Sequence, residues 1–357
     1  MQQYQPDPNR WQNPVYPVQP PYFAPPPTPE QVRKQKNRFH RKEYNKLGYS
    51  LFLQMGVATA ISFLMMFFYS FTTVFQLMQK TGGGIPPYQL IQRVMANVPL
   101  WMVPVASAVS MLAANLAASL TFLRPLRLDV KDMFRWKGTT AGLILGGAAA
   151  SLAVNYGAGL LMNLLNAVLG QVHLQMTTPD LGLQYDASGN LAMLVYVVLI
   201  APVTEELLVR GVFLRTLQRT GRWFAIVISS MLFALIHGNF LQAVPAFCVG
   251  VVLGYVAMRA GSILPTILIH VLNNSYVMLL DSMTGRWQSA ASVIEVTVII
   301  IAAAGALIAL WRERGNFSLI GERKAAPGSV GLVFTSWAVL ANVIFYGGMM
   351  LFSVRIV

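Results

Sequence analysis

Six polar residues in an otherwise apolar stretch of this sequence have side chains that could do chemistry. They are Glu205, Glu206, Arg210, His237, His270 and Asn274. A carboxylate in apolar surroundings can act as a base near neutral pH, and an imidazole beside it can share the proton. A second imidazole and an amide could donate hydrogen bonds to an oxyanion as it develops. These residue types together favour activation of a water molecule.

A metal site is the alternative for the same residues. Two histidines and a glutamate can ligate zinc, with an asparagine or a water completing the shell, so His237, His270 and Glu205 are the candidate ligands. The spacing in the chain is compatible with both mechanisms. We therefore expect either a glutamate-based site that requires no cofactor or a zinc site.

Helical spacing separates the two adjacent glutamates. Arg210 follows Glu206 by four residues, so the two side chains can pair on one helix face. Glu205 points about 100° away from Glu206, because an α-helix has 3.6 residues per turn. A buried ion pair that only fixes helix packing would explain Glu206 and Arg210, but it would leave Glu205 without a partner. His270 and Asn274, also four apart, share a face of another helix.

Three further residues in apolar runs need a separate interpretation. Pro202 removes a backbone donor just before Glu205, so we expect free carbonyls or a kink in the preceding turn. His237 alone would most simply be a hydrogen-bonded packing residue. It is a candidate site residue only because of the neighbouring motifs. Glu295, early in a later apolar run, is a weak candidate for contact with the site.

Bulk composition indicates a membrane protein. The chain has 357 residues, of which 55% are hydrophobic and 11% are charged, whereas a soluble chain carries about 25% charged residues. Its net charge of +13 lies mostly in short segments between apolar runs, as membrane topology requires, so no nucleic-acid partner is expected. The only cysteine, Cys248, excludes an intrachain disulfide and a cysteine-based metal site.

Nine apolar runs are long enough to cross a bilayer at about 20 residues each. Their approximate limits are 50–74, 97–123, 139–168, 191–213, 222–239, 241–258, 262–281, 290–311 and 331–353. The sequence therefore predicts an all-α, polytopic transmembrane helical bundle embedded in lipid. Spans two and three are rich in Ala, Gly and Ser, which predicts close helix packing.

The loop charges predict the orientation. With a cytoplasmic N-terminus, the inside loops carry thirteen basic residues and the outside loops carry four, as the positive-inside rule requires. The inside residues are Arg124, Arg127, Lys131, Arg135, Lys137, Arg215, Arg219, Arg222, Arg259, Arg312, Arg314, Arg323 and Lys324; the outside residues are Lys80, Arg93, Arg286 and Arg355. The longest outside loop, near 169–190, has Asp180 and Asp186 but no lysine or arginine. No cleavable signal peptide is visible, and we expect an integral protein of a bacterial inner membrane.

Four segments follow from these patterns. Residues 1–46 are expected to be a disordered, proline-rich cytoplasmic tail with a basic cluster before the first span, since 1–32 hold ten of the twenty prolines. Residues 47–190 hold the leading spans, 191–285 the catalytic core, and 286–357 the C-terminal spans. Internal repeats are not evident, which weakens a transporter interpretation. The His-Glu-x-x-His zinc-protease motif does not occur.

Three short motifs resemble those of the CPBP family, the CAAX-protease and bacteriocin-processing (Abi) intramembrane endopeptidases. They are Glu-Glu-x-x-x-Arg at Glu205–Arg210, Phe-x-x-x-His at Phe233–His237 and His-x-x-x-Asn at His270–Asn274. Each motif alone is weak, but all three in this order and at membrane depth are specific. The resemblance covers about residues 195–280, a quarter of the chain.

The resemblance implies an endopeptidase that cleaves a peptide bond within or beside the bilayer. Carried over to this chain, Glu205 would activate water with help from His237, and His270 and Asn274 would stabilise the oxyanion or bind metal. Glu206 and Arg210 would be supporting residues. The substrate would be a membrane peptide or protein, either of CAAX type or a leader or bacteriocin precursor. The alternative is a non-catalytic member, namely a transporter or a bacteriocin-immunity or scaffold protein.

Overall fold

A computed structural model describes residues 27–82, 84–136, 138–178, 187–283, 287–317 and 324–356. The predicted disorder of residues 1–26 lies outside this described part of the chain. So do Lys137, Asp180, Asp186, Arg286 and Arg323, on which part of the predicted loop charge rests. The chain divides into two compact units, Met1–Phe39 and His40–Val357. The helix bundle and the candidate site belong to the second unit.

Helices make up nearly all of the described structure. We number them α1 Pro29–Thr81, α2 Pro87–Ala96, α3 Met102–Leu123, α4 Ala141–Gly170, α5 (five segments from Ala187 to Leu217), α6 Arg222–Leu235, α7 Phe240–Ala260, α8 Leu264–Ser282, α9 Gln288–Glu313, α10 Ser329–Phe334 and α11 Trp337–Phe352. Two three-residue strands, β1 Leu174–Met176 and β2 Val354–Ile356, pair antiparallel. The predicted all-α, polytopic helical bundle is confirmed.

Six of the described helices are long and apolar enough to cross a membrane, by length and composition alone: α1, α3, α4, α5, α7 and α9. Two shorter apolar helices, α6 and α11, coincide with predicted spans. The remaining predicted span, 262–281, coincides with α8, a 19-residue helix whose polar side chains lower its hydropathy. Eight of the nine predicted runs therefore each correspond to one helix, while 331–353 is divided between α10 and α11, and the protein is an integral membrane protein.

Two features of the leading segment differ from expectation. Helix α1 begins at Pro29, so residues 29–46 are helical, whereas the sequence predicts a disordered tail there. The physical reason is that their Lys, Arg, Gln and Glu residues are strong helix formers, and the tail's prolines stop at residue 29. Helix α2 lies between two predicted spans, where a loop is expected; its ten residues are too few to register as a span.

Small residues bring the core helices into close contact, as the sequence predicted. An added Cβ at Gly147 of α4 would come within 2.7 Å of Ile269 Cδ1 on α8. At Gly48 of α1, an added Cβ would lie almost on top of the backbone of Ala338 on α11. Neither position has room for a larger side chain. In lipid, where apolar surface gains little from burial, such close backbone approach supplies the packing energy.

The bundle has two distinguishable ends. At one, here called the basic end, Arg215 at the end of α5 donates to the carbonyls of Asp132 and Gly261, in the α3–α4 and α7–α8 connections. At the other, here called the hairpin end, lie the α6–α7 turn (236–239), β1 and β2. Gly238 of that turn packs against Met349, near the C-terminus of α11. Successive spans thus alternate in direction.

Candidate active site

Helix α5 carries both glutamates on a short α-helical segment between two π-helical segments. The α-helical segment is Ala201–Glu206, and the π segments are Tyr196–Ile200 and Leu207–Leu214. Ala201 N–H bonds to the Tyr196 carbonyl, five residues back. The next residue, Pro202, has no N–H to bond to Val197 in the same pattern. The carbonyl that the sequence predicted to be free is therefore that of Val197, and such π segments are frequent at functional sites.

The predicted pairing of Glu206 with Arg210 is confirmed. Arg210 Nη1 lies 2.6 Å from Glu206 Oε1, and both side chains are 0% exposed. Arg210 Nη2 donates to the Gly250 carbonyl of α7 at 3.0 Å, and the guanidinium lies 5.1 Å from the centre of the Phe233 ring. Desolvating two charges is costly, so the pair is stable only with this set of partners. It ties α5 to α6 and α7.

His270 of α8 joins the two glutamates. Its Nδ1 lies 3.1 Å from Glu206 Oε1, and its Nε2 lies 3.9 Å from Glu205 Oε2. An ionised carboxylate only accepts hydrogen bonds, so Nδ1 carries a hydrogen when Glu206 is ionised, and Nε2 is directed to the other glutamate. The Glu205 side chain is 14% exposed, whereas that of Glu206 is 0% exposed. Glu205 is thus the more accessible acid.

His237 is oriented by its own helix. Its Nδ1 lies 2.9 Å from the Phe233 carbonyl, and because a carbonyl only accepts, this nitrogen carries the hydrogen. In the neutral ring Nε2 is then an acceptor. No nitrogen of His237 lies within 4.0 Å of a carboxylate oxygen in the described structure. The histidine nearest to Glu205 is therefore His270, although the resemblance suggested His237 for that position.

Phe233, the first residue of the second motif, lies between the charged groups. Its ring contacts the rings of His237 and His270 edge to face, with centroids 5.0 and 6.1 Å apart. The same ring faces the Arg210 guanidinium. The ring of this nearly fully buried phenylalanine thus contacts three polar side chains, and its carbonyl accepts from the histidine four residues later, in keeping with the Phe-x-x-x-His spacing.

The third motif bonds to a backbone carbonyl of α5 that lacks a helical donor because Pro202 has no N–H. Asn274 Nδ2 donates to the Val197 carbonyl at 2.9 Å. Its Oδ1 lies 3.4 Å from Asn273 Nδ2. Asn273 is itself buried, and its Oδ1 has no hydrogen-bond partner among the described residues. The Asn274 amide is therefore fixed to α5, while the Asn273 amide retains an acceptor oxygen without a partner among the described residues.

A cavity of about 300 Å³ lies beside these groups, and Glu205, Glu206 and Arg210 are not among its described lining residues. It is lined by Asn155, Val197, Phe233, His237, Leu241, Gln242, Pro245, Ala246, Val249, His270, Asn273, Asn274 and Val277. Three polar members, Asn155, Gln242 and Asn273, were not among the candidates. Only Asn273 had a local signal, because it lies three residues after His270 and so on the same helix face. Glu295 does not line the cavity.

A second polar network connects α5 to α1 and α3 through buried side chains. Gln54 of α1 donates to Asn115 Oδ1 at 2.8 Å, and Asn115 of α3 donates to Thr204 Oγ1 at 2.9 Å. Thr204 in turn donates to the Ile200 carbonyl at 2.9 Å. All three side chains are buried. This network fixes the turn of α5 immediately before Glu205, and none of its members was singled out from the sequence.

The positions of Glu205, His237 and His270 show whether these three side chains are placed to bind one zinc ion. Within the described residues, no group of three or more His, Cys, Asp and Glu side chains is placed to hold a metal ion. Glu205, His237 and His270 are therefore not arranged as a three-residue ligand set in the described structure. The proposed mechanism contains no metal step, and metal dependence stays a prediction.

The comparisons with known proteins bear on the same segment. Residues 187–276 match the family model described as "Rce1-like: Type II CAAX prenyl endopeptidase Rce1-like". Searches of curated proteins and of solved structures gave no significant match. The family match indicates an intramembrane protease of the CAAX type in general. It spans about a quarter of the chain and contains all three motifs, so this segment is similar to the CAAX-type intramembrane endopeptidases.

Proposed function

We propose that the protein hydrolyses a peptide bond of a membrane-embedded peptide or protein, with Glu205 as the base that activates water. The observation that carries this proposal is the cavity lined by His237, His270 and Asn274, with Glu205 Oε2 3.9 Å from His270 Nε2. A cavity of about 300 Å³ has room for a water molecule and a peptide group, and it supplies the polar partners that a bound water needs.

The proposed reaction begins with proton removal. Glu205 takes a proton from water, and the hydroxide oxygen forms a bond with the carbonyl carbon of the peptide. The neutral His237 ring, with its hydrogen on Nδ1, offers Nε2 to the second hydrogen of that water. The C–N bond then breaks, and the proton held by Glu205 passes to the amine nitrogen. The products are a new carboxyl and a new amino terminus.

The oxyanion requires hydrogen-bond donors, and two residues are proposed for this role. Asn274 uses one Nδ2 hydrogen for Val197 and keeps the other available. His270 donates from Nε2 when its ring is protonated, and Glu206 on Nδ1 stabilises that charged ring, as a buried carboxylate does for the imidazole of a catalytic triad. Glu206 and Arg210 then act as positioning residues behind His270.

The test is a comparison of cleaved proteins in membranes. Cells that express the wild type, Glu205→Ala or Glu295→Ala are compared for newly formed N-termini by mass spectrometry. Glu295 is the matched control, since it is another acid of an apolar helix but lies on α9, whereas Glu205 lies 3.9 Å from His270. We expect termini that depend on Glu205 and persist in Glu295→Ala. Identical termini in wild type and Glu205→Ala would contradict the proposal and favour a non-catalytic member.

Metal dependence is tested on the purified, active protein. On the glutamate mechanism, cleavage of a substrate found in that comparison continues after dialysis against a chelator. Metal content is measured in the same sample by elemental analysis. Activity at zero metal content would exclude the zinc mechanism, whereas loss of activity that zinc restores would establish it.

A further inference from the structure

The catalytic cavity lies in the half of the bundle nearer the hairpin end. His237 is two residues beyond the C-terminus of α6, and Leu241, Gln242 and Pro245 are in the first two turns of α7. From α8, which begins at the basic end, the lining residues run only from His270 to Val277. The ion pair of Glu206 and Arg210 lies on the basic side of these groups.

Contacts between connections define the two ends independently of any membrane. At the basic end, Ile263 N–H donates to the Met133 carbonyl at 2.8 Å, which joins the α7–α8 and α3–α4 connections. Arg259 Nε lies 2.9 Å from Glu313 Oε2, so the C-terminus of α9 is at this end too. At the hairpin end, Thr177 N–H donates to the Ser353 carbonyl at 2.8 Å, which joins the C-terminal sides of α4 and α11.

The basic charge of the protein is concentrated at one of these ends. Outside the N-terminal segment, eleven described lysines and arginines follow or precede helices at the basic end: Arg124, Arg127, Lys131, Arg135, Arg215, Arg219, Arg222, Arg259, Arg312, Arg314 and Lys324. Three are at the hairpin end: Lys80, Arg93 and Arg355. By the positive-inside rule, the basic end is cytoplasmic.

From these placements we infer that the cavity opens toward the non-cytoplasmic side and that the substrate is a membrane-anchored polypeptide cleaved at its outer leaflet. This inference rests on the proposed protease function and specifies the class of its substrate. A prenylated C-terminal CAAX peptide is made and held at the cytoplasmic face, so it would approach the end opposite the cavity. A leader or juxtamembrane segment that emerges from the outer surface reaches His237 and Gln242 directly.

The position of the opening is tested by cysteine labelling. The chain has one cysteine, Cys248, so Cys248→Ala gives a cysteine-free background for single replacements. Gln242→Cys reports on the cavity, while Val172→Cys and Val130→Cys report on the hairpin and basic ends; Val172 and Val130 are exposed. Intact bacterial spheroplasts that express each variant are treated with a membrane-impermeant maleimide, before or after permeabilisation.

We expect Gln242→Cys and Val172→Cys to be labelled in intact spheroplasts, and Val130→Cys to be labelled only after permeabilisation. The reverse pattern would overturn the inference. So would labelling of Gln242→Cys together with Val130→Cys, since the cavity would then open at the cytoplasmic side. These outcomes do not depend on whether the protein cleaves any substrate.

The substrate class is tested by mapping the Glu205-dependent termini onto host proteins of known topology. We expect the cleaved bonds to lie in segments at or beyond the outer surface. Cleaved bonds in cytoplasmic segments would overturn this inference and leave the protease function intact. If no terminus depends on Glu205, the protease function itself fails, and the labelling result still decides where the cavity opens.

Discussion

Two neighbouring regions of the core use the same residue types in opposite ways. Around Glu206 and Arg210, the charges are fully buried and each has a fixed partner. Around His237 and Asn274, polar groups border an open cavity of about 300 Å³ and keep unused hydrogen-bonding capacity. His270 belongs to both regions, because Nδ1 contacts Glu206 while Nε2 is directed to Glu205.

On the proposed mechanism, one helix holds a structural and a reactive carboxylate at adjacent positions. The rotation of about 100° between consecutive residues directs Glu206 into the packed region and leaves Glu205 partly exposed beside His270 Nε2. The packed region is costly to assemble, since both charges lose their water, but it gives the site a rigid base. Four substitutions test this comparison.

Glu205→Gln is expected to have the largest effect on activity. Removal of a general base lowers the rate by about 10²–10⁴-fold. Thermal unfolding in detergent should change little, because the nearest charged partner of Glu205 is 3.9 Å away. The rate is measured on a substrate from the membrane comparison. A variant that cleaves it as fast as the wild type would show that Glu205 is not the catalytic base.

Arg210→Met is expected to have the largest effect on stability. It removes the arginine partner of the buried Glu206 carboxylate and leaves only the His270 contact, and breaking a buried ion pair costs about 3–5 kcal/mol. The free energy of unfolding is measured by denaturant titration in detergent. The matched control is the double variant Glu206→Gln with Arg210→Met, in which no buried charge is left unpaired and most of the loss should be recovered. A single variant as stable as the wild type would contradict the assignment of this region as the structural one.

Asn274→Ala should lower the rate by about 10²–10³-fold, the usual effect of removing one oxyanion donor. The reduction should appear in kcat more than in KM, because the donor acts on the transition state. Ser275→Ala is the control at the next position, since the Ser275 hydroxyl donates only within its own helix, to the Val271 carbonyl. Equal effects of the two substitutions would assign Asn274 to packing instead.

Asn115→Ala is expected to have the smallest effect, and on stability alone. It removes the link between Gln54 and Thr204 and costs about 1–3 kcal/mol, the penalty for an unsatisfied buried polar group. Activity per folded molecule should be retained. Ser119→Ala is the matched control, because its hydroxyl donates to the Asn115 carbonyl of the same helix. A rate loss with unchanged stability would place this network in the reaction.

Local patterns in the sequence were sufficient to predict the membrane-spanning helices and one contact between side chains, that of Glu206 with Arg210. Apolar runs of about 20 residues predict spans because an unpaired backbone in lipid is too costly. Eight of the nine runs each correspond to one described helix, while the last is divided between α10 and α11. The contact of Glu206 with Arg210 follows from a spacing of one helical turn. The helical start at Pro29 and helix α2 were not predicted, since neither lies in an apolar run long enough to span a bilayer.

Only the tertiary structure decided which groups from different helices meet. His270, rather than His237, lies nearest to Glu205, and Asn274 bonds to the Val197 carbonyl that Pro202 leaves free. The Gln54–Asn115–Thr204 network and the cavity positions of Asn155 and Gln242 had no signal in the chain. The reason is physical: spacing along one helix determines which face a residue occupies, whereas the distance between helices depends on how all their side chains pack.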